Sequence, residues 1–475
     1  MKYIFSFILL LAGVAAASAV TNWFSIFYKG DGIQKIKALK TTDIDSVFFT
    51  SDPSVDPAAI TTLNMQSSDE EGIFSVPLDS VVSAGIRSNI PTIYITTDPY
   101  VDEVPDKENY LTAKFAYIPY DGATDTLETT VSVRGRGNSS WTFPQKSYRL
   151  KFDKKQSIAG LEKAKSYVLI TNYIDNTLLK NAVGYKIAEL LELPYTNTAV
   201  PVDVVFNGQP RGNYVLTHKV GINAGSADFD ETQGILWEID TNYDEDYRFR
   251  SSRYYLPCMV KDPDFRELAE TDAILVRALW AYWKADLDLA IAKVYDGQWS
   301  QVFDARQLAK YLVVNDVVAN FELNHPKSMF LYKPWAGDKY YFGPVWDFDW
   351  AFAYAGNVDV NTRLIRQIAT VYETDSYEFF AKIFSSDEFM SLFKEEFDNF
   401  CDNHLQTLMD FIDDYAEKVR ISAYQNYEIW PEEHFYSDEA DIINTAHFQE
   451  NVDNLKAFIL ERIEKMKADP RFLLY

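Results

Sequence analysis

Two aspartates, Asp347 and Asp349, stand two residues apart in the apolar, aromatic run Phe342-Gly-Pro-Val-Trp-Asp-Phe-Asp-Trp-Ala-Phe352. In an extended backbone, side chains at i and i+2 share a face, so both carboxylates would point the same way. Val345, Phe348 and Trp350 would help wall them. Carboxylates forced together in apolar surroundings repel, and each loses hydration. A hard divalent cation, Mg²⁺ or Ca²⁺, relieves both costs. A bare D-x-D is equally a strand end carrying two solvated aspartates, so the neighbouring segments must decide.

A second segment has the opposite charge. It reads Arg134-Gly-Arg-Gly-Asn-Ser-Ser-Trp-Thr-Phe-Pro-Gln-Lys-Ser-Tyr-Arg-Leu-Lys-Phe152, with five cations in 18 residues. Arg134 and Arg136 precede a glycine turn, and Lys146, Arg149 and Lys151 follow it. On a strand, Arg149 and Lys151 share one face while Tyr148, Leu150 and Phe152 share the other. Gly135 and Gly137 permit close backbone approach to a ligand. Arg, Lys and free backbone N–H groups cradle oxyanions, which reads as a phosphate- or carboxylate-binding strand-loop-strand. The alternative is a hairpin whose exposed face happens to be basic. No G-K-[ST] opens a helix here, so this is not a Walker A loop. Asn138-Ser-Ser140 also fits a glycosylation sequon, incidental in so cationic a loop.

These segments need elements to hold them. Strands are expected at 90–98, 110–118, 128–134 and 167–171, and a helix over 176–193 from the spacing of Leu178, Leu179, Val183, Ile187, Leu190 and Leu191. Lys180 and Asn181 fall in that helix's first turns. Asn207-Gly208 closes a hairpin between 202–206 and 213–217, and a strand over 234–239 brings Glu238 and Asp240. An acidic loop follows over 240–253. Helices are then expected at 264–285 and 304–320, and a hairpin of 329–333 with 339–342 leads into Asp347. The remainder, 379–383, 389–400, 405–424 and 448–467, reads as amphipathic helix. The expectation is an α+β fold, with a strand-rich lobe (90–255) and a helix-rich lobe (256–475) preceded by a β-rich segment (20–89).

The 475 residues carry a formal charge of −25, from 70 acidic against 45 basic side chains. That balance argues against a nucleic-acid binder, which needs a basic surface to displace counterions. An apolar fraction of 47% supports a substantial core. Lys2, the apolar stretch Ile4 to Ala17 and the small residues Ala17-Ser18-Ala19 read as a signal peptide over 1–19. Export is therefore expected, to a periplasmic, cell-surface or secreted location, with no membrane span once the signal is cleaved. No Cys follows the cleavage site to take a lipid. Cys258 and Cys401 could pair in an oxidising compartment, but spacing cannot place them within reach. The five His residues show no H-x-x-x-H spacing, which excludes a structural metal cluster.

In chain order the parts are a basic strand-loop-strand, a helix, a helix–loop with Asp316, Asn320, Glu322 and Asn324, and a hairpin leading into D-F-D. Kinase-type phosphoryl transfer uses such parts: a cation against phosphate, a loop Asp/Asn pair, and a hairpin-borne Asp for Mg²⁺. Positioning and charge neutralisation supply most of the rate.

The blocks RGRGNSSWTFPQKSYRLKFDKK, SYVLITNYIDNTLLKNAVGYKIAELLELPY, VVFNGQPRGNYVLTHKV, ELNHPKSMFLYK and GPVWDFDWAF together resemble the spore-coat CotH family of kinase-like proteins, closest to its exported bacterial members. The resemblance covers roughly residues 90 to 355. It implies an atypical, much-reduced protein-kinase-like bilobal fold. It also implies an extracytoplasmic kinase that uses ATP and Mg²⁺, with Mn²⁺ or Ca²⁺ as substitutes, to phosphorylate exported or cell-surface proteins. By position, Asp347 matches the family's metal-binding Asp and Asp349 its companion. Lys146, Arg149 and Lys151 match the basic strand, with Lys151 the chosen phosphate contact, and Arg136 and Asn138 match the R-G-x-N-S loop.

Two departures stand out. His218 occupies a position where the family often has Glu, and ELNHPKS, which includes His325, holds no obvious loop Asp. Asp316, upstream, is the candidate base, with Glu322 and Asn324 as candidate metal or substrate ligands. An inactive, nucleotide-binding pseudokinase therefore stands as the alternative. A glycan hydrolase using Glu238, Asp240 and Asp347 would leave the basic strand unexplained, and a surface adhesin would use the aromatic loops without catalysis.

Overall fold

The structure, a computed structural model, describes residues 23–30, 33–40, 44–50, 62–67, 73–87, 90–120, 126–324, 326–353, 364–365, 375–431 and 447–471. The expected signal peptide at 1–19 and His325 lie outside the described residues. The fold is α+β, with several antiparallel sheets, seven α-helices among the described residues and one closed barrel of seven strands. Its elements group into two compact units, each assembled from non-contiguous stretches.

The first unit takes residues 1–137, 201–214 and 418–429. Strands β1 (Trp23–Gly30), β2 (Ile33–Lys40) and β6 (Val81–Arg87) form one antiparallel sheet. β3 (Ile44–Thr50), β4 (Thr62–Ser67) and β5 (Ile73–Pro77) form another. Ile26, Leu63, Met65 and Val76 make a small core for this segment. β7 (Thr92–Asp98) pairs antiparallel with β8 (Leu111–Ile118), and β8 with β9 (Leu127–Arg136). β12 (Val200–Phe206) runs parallel to β7. Asn207 and Gly208 both have positive φ, 48° and 84°, as the two-residue hairpin into β13 (Gln209–His218) requires. Asn207 also bonds Thr97 through both ends of its amide, at 2.7 Å each.

The second unit takes residues 138–200, 215–417 and 430–475. Within it β10 (Ser147–Gln156) pairs with β11 (Ala164–Thr171). Helix α1 (Lys180–Leu190) follows, starting later than the apolar spacing predicts. The reason is Asp175, whose carboxylate accepts from the Thr177 and Lys180 N–H groups and from the Thr177 hydroxyl, holding 175–179 in a capped turn. A five-stranded antiparallel sheet has the order β15-β16-β14-β17-β18. Its strands are β14 (Ile235–Ile239), β15 (Arg248–Arg250), β16 (Pro257–Asp262), β17 (Met329–Lys333) and β18 (Tyr341–Phe342).

Strands from before and after residue 255 therefore share one sheet. The loop expected over 240–253 contains β15, and β16 was missed because its short run Pro-Cys-Met-Val carries no alternation. Helices α2 (Phe265–Tyr295) and α3 (Ala305–Val317) come next. They are followed by α4 (Asp375–Phe384), α5 (Asp387–Asn403), α6 (Leu405–Ile429) and α7 (Phe448–Lys467). An aromatic core of Phe303, Tyr311, Phe342, Phe379 and Phe380 joins β18 to α3 and α4. Cys258 and Cys401 are both free thiols, so the disulfide that composition allowed is not formed.

Buried polar bonds fasten the Lys418–Ile429 half of α6 within the first unit. The Ser422 hydroxyl donates to Asp203 at 2.5 Å and accepts from Asn213 at 2.9 Å. Ser422→Ala removes a donor to Asp203 and an acceptor for Asn213 and should cost about 1–3 kcal/mol, read as a lower urea midpoint with an unchanged m-value.

Candidate functional site

The D-F-D segment lies in the second unit and is not a strand. Residues 343–348 carry no regular structure, and Asp347 adopts φ = 60°, the left-handed region. The two carboxylates therefore do not share the face of a pleated strand. What fixes them is helix α1. The Asn181 side chain accepts from the Phe348 N–H at 3.0 Å and donates to Asp349 Oδ1 at 2.8 Å. The Lys180 ammonium donates to the Asp349 carbonyl at 3.3 Å. Phe348 is fully buried against Tyr185, and a Cβ at Gly184 would overlap its ring. Lys180 and Asn181, which the sequence placed in that helix's first turns, are both buried.

Further carboxylates gather around this clamp. Asp240, just past β14, accepts from the Ser328 N–H at 3.1 Å, and the Ser328 hydroxyl donates to Asp347 Oδ2 at 3.1 Å. One serine thus links the two acids. Glu322, in the turn Phe321–Asn324, is buried, and its Oε2 accepts no hydrogen bond among the described residues.

Electrostatics follow from this crowding. Burial, then the charge of Asp347, pushes the Asp349 carboxyl up to about 8, against the pull of Asn181 and Lys180. Burial and Asp347 also hold Glu322 well above the usual carboxylate range, with Asp240 and Asp349 adding to the effect. Burial and Glu238 raise Asp240 to about 6. Burial and mutual repulsion thus disfavour the charged form of all three carboxyls.

Cations gather on the side of β14 that carries Glu238. Lys261 on β16 bonds Glu238 at 2.6 Å and stands 3.5 Å from Glu245. Burial opposes its charge, but those two glutamates hold its ammonium above the ordinary range. Lys219, directly after β13, has no side-chain hydrogen bond or ion pair among the described residues. Burial lowers it to about 8; Asp262 opposes this, while Arg149 and Lys261 add to it. Sequence reasoning missed Lys219. The available signal was a second cation arriving beside the basic strand from the next hairpin.

The remaining candidates are dispersed. Lys146 closes its own turn, donating to the Trp141 and Phe143 carbonyls at 2.8 and 3.0 Å. Lys151 is exposed on β10, opposite Ser166. Arg149 is half-buried and near enough to Lys219 to depress it. Arg136 ends β9 in the first unit, and Asn138 is an exposed residue opening the second. The Asn324 side chain lies outside the described residues.

Asp316 is not part of the carboxylate cluster. It is fully buried on α3, paired with Arg462 of α7 at 2.6 Å, and accepts from the Ile365 N–H at 3.1 Å. His218 bonds the Glu162 carbonyl through Nε2 at 2.8 Å and stacks on Tyr167, so it is a core residue. Glu238, taken by Lys261, is not free to act on a glycan.

The donors around D-F-D are hard carboxylate oxygens, the set Mg²⁺, Mn²⁺ or Ca²⁺ prefers. Among the described residues no three His, Cys, Asp or Glu side chains close on one point as a preformed metal cage. Mg²⁺ seldom uses such a cage; one or two carboxylates plus substrate phosphates and water are its usual shell. The donor set and the unmatched Glu322 oxygen fit that pattern. Among the described residues no helix is long and apolar enough to cross a membrane.

Compared with known protein families, residues 133–466 match the model described as CotH kinase protein. No curated protein matches the chain.

The raised carboxyls have a measurable consequence. A carboxyl with its folded value above its unfolded one favours the folded state below the unfolded value. That advantage is lost as pH rises through the folded value, here between about 4 and about 8. Asp349→Asn removes the buried charge while keeping an acceptor for Asn181. Without divalent cation it should be more stable than the parent by about 1 kcal/mol or more at pH 8, and no more stable at pH 4. Mg²⁺ should raise the melting temperature of the parent at pH 8 but not that of the variant.

Proposed function

The chain belongs to the CotH kinase protein family, and from that membership and the geometry around D-F-D we propose that it is an atypical, kinase-like phosphotransferase acting on exported or cell-surface proteins with Mg-ATP. The observation that carries the reading is the crowding of the carboxyls of Asp347, Asp349 and Glu322, the last two buried and raised and Asp349 clamped by Asn181, while the cations Lys219, Arg149 and Lys261 stand together on the Glu238 side of β14. A site built for a neutral sugar has no use for that division of charge.

In this reading Asp347 and Asp349 hold the divalent ion, which when bound supplies charge neutralisation to the nucleotide phosphates. Asn181 and Ser328 keep the two carboxylates in place, so little reorganisation is needed as charge develops. Lys219 and Arg149 contact phosphate oxygens. They take the role that the resemblance gave to Lys151, because both are half-buried and stand close to one another while Lys151 faces solvent. The acceptor hydroxyl oxygen bonds the γ-phosphorus, the bond from γ-phosphorus to the bridging oxygen breaks, and ADP leaves. The hydroxyl proton goes to Glu322 Oε2, which accepts no other hydrogen bond among the described residues and whose raised proton affinity suits a base. Asp316, locked to Arg462, serves instead to fasten α7 to α3. That lock also favours the second reading, a nucleotide-binding pseudokinase, because it removes the one loop-proximal Asp from service.

Purified protein with Mg²⁺ and γ-labelled ATP should transfer label, and Asp347→Ala should abolish transfer. ATP-dependent thermal stabilisation without transfer is the pseudokinase result, and no nucleotide response at all would sink both.

A pH effect distinguishes Lys219. It is charged below about 8 and loses its charge above, so KM for ATP should rise as pH passes from 7 to 9. Lys219→Arg should abolish that rise, and Lys219→Ala should raise KM about ten-fold at pH 7.

A further inference from the structure

The acidic stretch that leaves Asp240 ends in three arginines, Arg248, Arg250 and Arg253. None of them has an ion pair among the described residues, in a chain with 25 excess negative charges. Each lies instead on tyrosine. Arg248 and Arg250 stack on Tyr243 at 5.0 and 4.7 Å, Arg250 also on Tyr255 at 5.1 Å, and Arg253 on Tyr295 at 4.3 Å. Arg248 and Arg250 each donate from Nη1 to a backbone carbonyl, of Glu245 at 2.9 Å and of Tyr255 at 3.3 Å, so stacking and that one bond fix each guanidinium while its remaining N–H groups can meet a carboxylate. The rings are held at a conformational cost. Tyr243, Tyr254 and Tyr255 all have positive φ, 51°, 61° and 50°, a region that costs a bulky L-residue on the order of 1 kcal/mol each. Tyr255 is nevertheless 62% exposed.

The backbone beneath these side chains is an edge. β15 is the outermost strand of its sheet. Tyr247 and Ser251 turn their backbone inward, with the Val260 N–H donating to the Tyr247 carbonyl at 2.9 Å and the Ser251 N–H to the Leu256 carbonyl at 3.1 Å. By the alternation of an antiparallel ladder, the backbone groups of Arg248 and Arg250 face outward. Phe249 points into the core against Trp237 and Trp280, so the two arginines share the opposite face. The acids nearest in sequence do not cover them. Glu245 is within reach of Lys261, and Asp244 and Asp246 are exposed without pairing to the arginines.

We infer that the outer edge of β15 is a docking site for an acidic, extended peptide segment, which adds as a strand while its carboxylates meet Arg248, Arg250 and Arg253. A peptide is favoured over a polyanionic glycan because the edge offers a row of backbone donors and acceptors at the spacing of a strand. Loop 240–247 connects this edge to Asp240 and thus to the carboxylate cluster. Under the phosphotransfer reading, on which only this last link rests, the docked segment belongs to the acceptor protein.

The test measures binding by the full chain without nucleotide, using fluorescence anisotropy of a labelled (Glu-Thr)6 peptide at low salt. Saturable binding is expected, weakened about ten-fold or more by the triple change Arg248→Ala, Arg250→Ala, Arg253→Ala, and lost with the corresponding Lys-Thr peptide. A Glu-Thr-Glu-Pro repeat, which cannot complete a ladder, should bind clearly more weakly than the parent peptide. Arg250→Lys, which keeps the charge but not the planar stack, should fall between parent and triple variant and guards against misfolding of the latter. No binding by the parent chain, equal binding by the triple variant, or equal binding of the proline peptide with full competition by heparin would each overturn the inference. Asp347→Ala should bind the peptide as the parent does, so a failed kinase assay and a failed docking assay remain separate results.

Discussion

One amide side chain sets the geometry on which the site depends. Asn181 accepts from the Phe348 N–H and donates to Asp349, tying a helix to residues 167 and 168 positions further along the chain. A single residue thereby fixes the backbone and the acidic side chain of the same segment. The clamp needs α1 to approach closely, which Gly184 permits, and needs Phe348 to be buried, which Tyr185 enforces. Removing the amide would leave a buried carboxylate and a buried N–H unmatched, and the cost of orphaned polar groups is why such clamps hold. Asp349 sits at raised proton affinity despite this bond, so the clamp orients the charge without neutralising it.

β14 organises what lies around that clamp. Glu238 near its end holds the Lys261 ammonium, and two residues later Asp240 holds the Ser328 N–H, whose hydroxyl in turn holds Asp347. The strand end thus links a cationic group, with Lys219 and Arg149 beyond it, to the carboxylate cluster. Such a gradient suits a ligand that carries phosphate and is met by a metal ion. It has a cost, which the raised Glu322 and Asp349 carboxyls record, first through burial and then through the charge of Asp347.

The chemistry of the site was more legible in the sequence than its geometry. D-F-D was visible as an acidic pair in an apolar run, and the hairpin at Asn207-Gly208 as a pair of left-handed residues, because both signals are local. The strand assignment for D-F-D failed because the left-handed backbone at Asp347 is imposed by distant packing on α1. Asp316 looked like a base by its place in the chain, yet its partner Arg462 lies 146 residues away, beyond any local pattern. Lys219 carried no motif and stands beside the basic strand only through tertiary approach, while Glu322 and Ser328 lay in the ELNHPKS block, Glu322 as a candidate ligand, with no local signal for their approach to Asp347. Lys146 and Lys151 illustrate the converse. Both belong to a conspicuous basic segment, but one satisfies its own turn and the other faces solvent.

The central claim is that the D-F-D carboxylates and a nucleotide jointly complete one divalent-ion shell. Electron paramagnetic resonance of Mn²⁺ titrated into the metal-free protein, with and without a non-hydrolysable ATP analogue, tests it most directly. The account predicts weak immobilisation of Mn²⁺ by the protein alone and one tightly bound Mn²⁺ per chain once the analogue is present. Mn²⁺ that stays as mobile with protein and analogue as with analogue alone would contradict it.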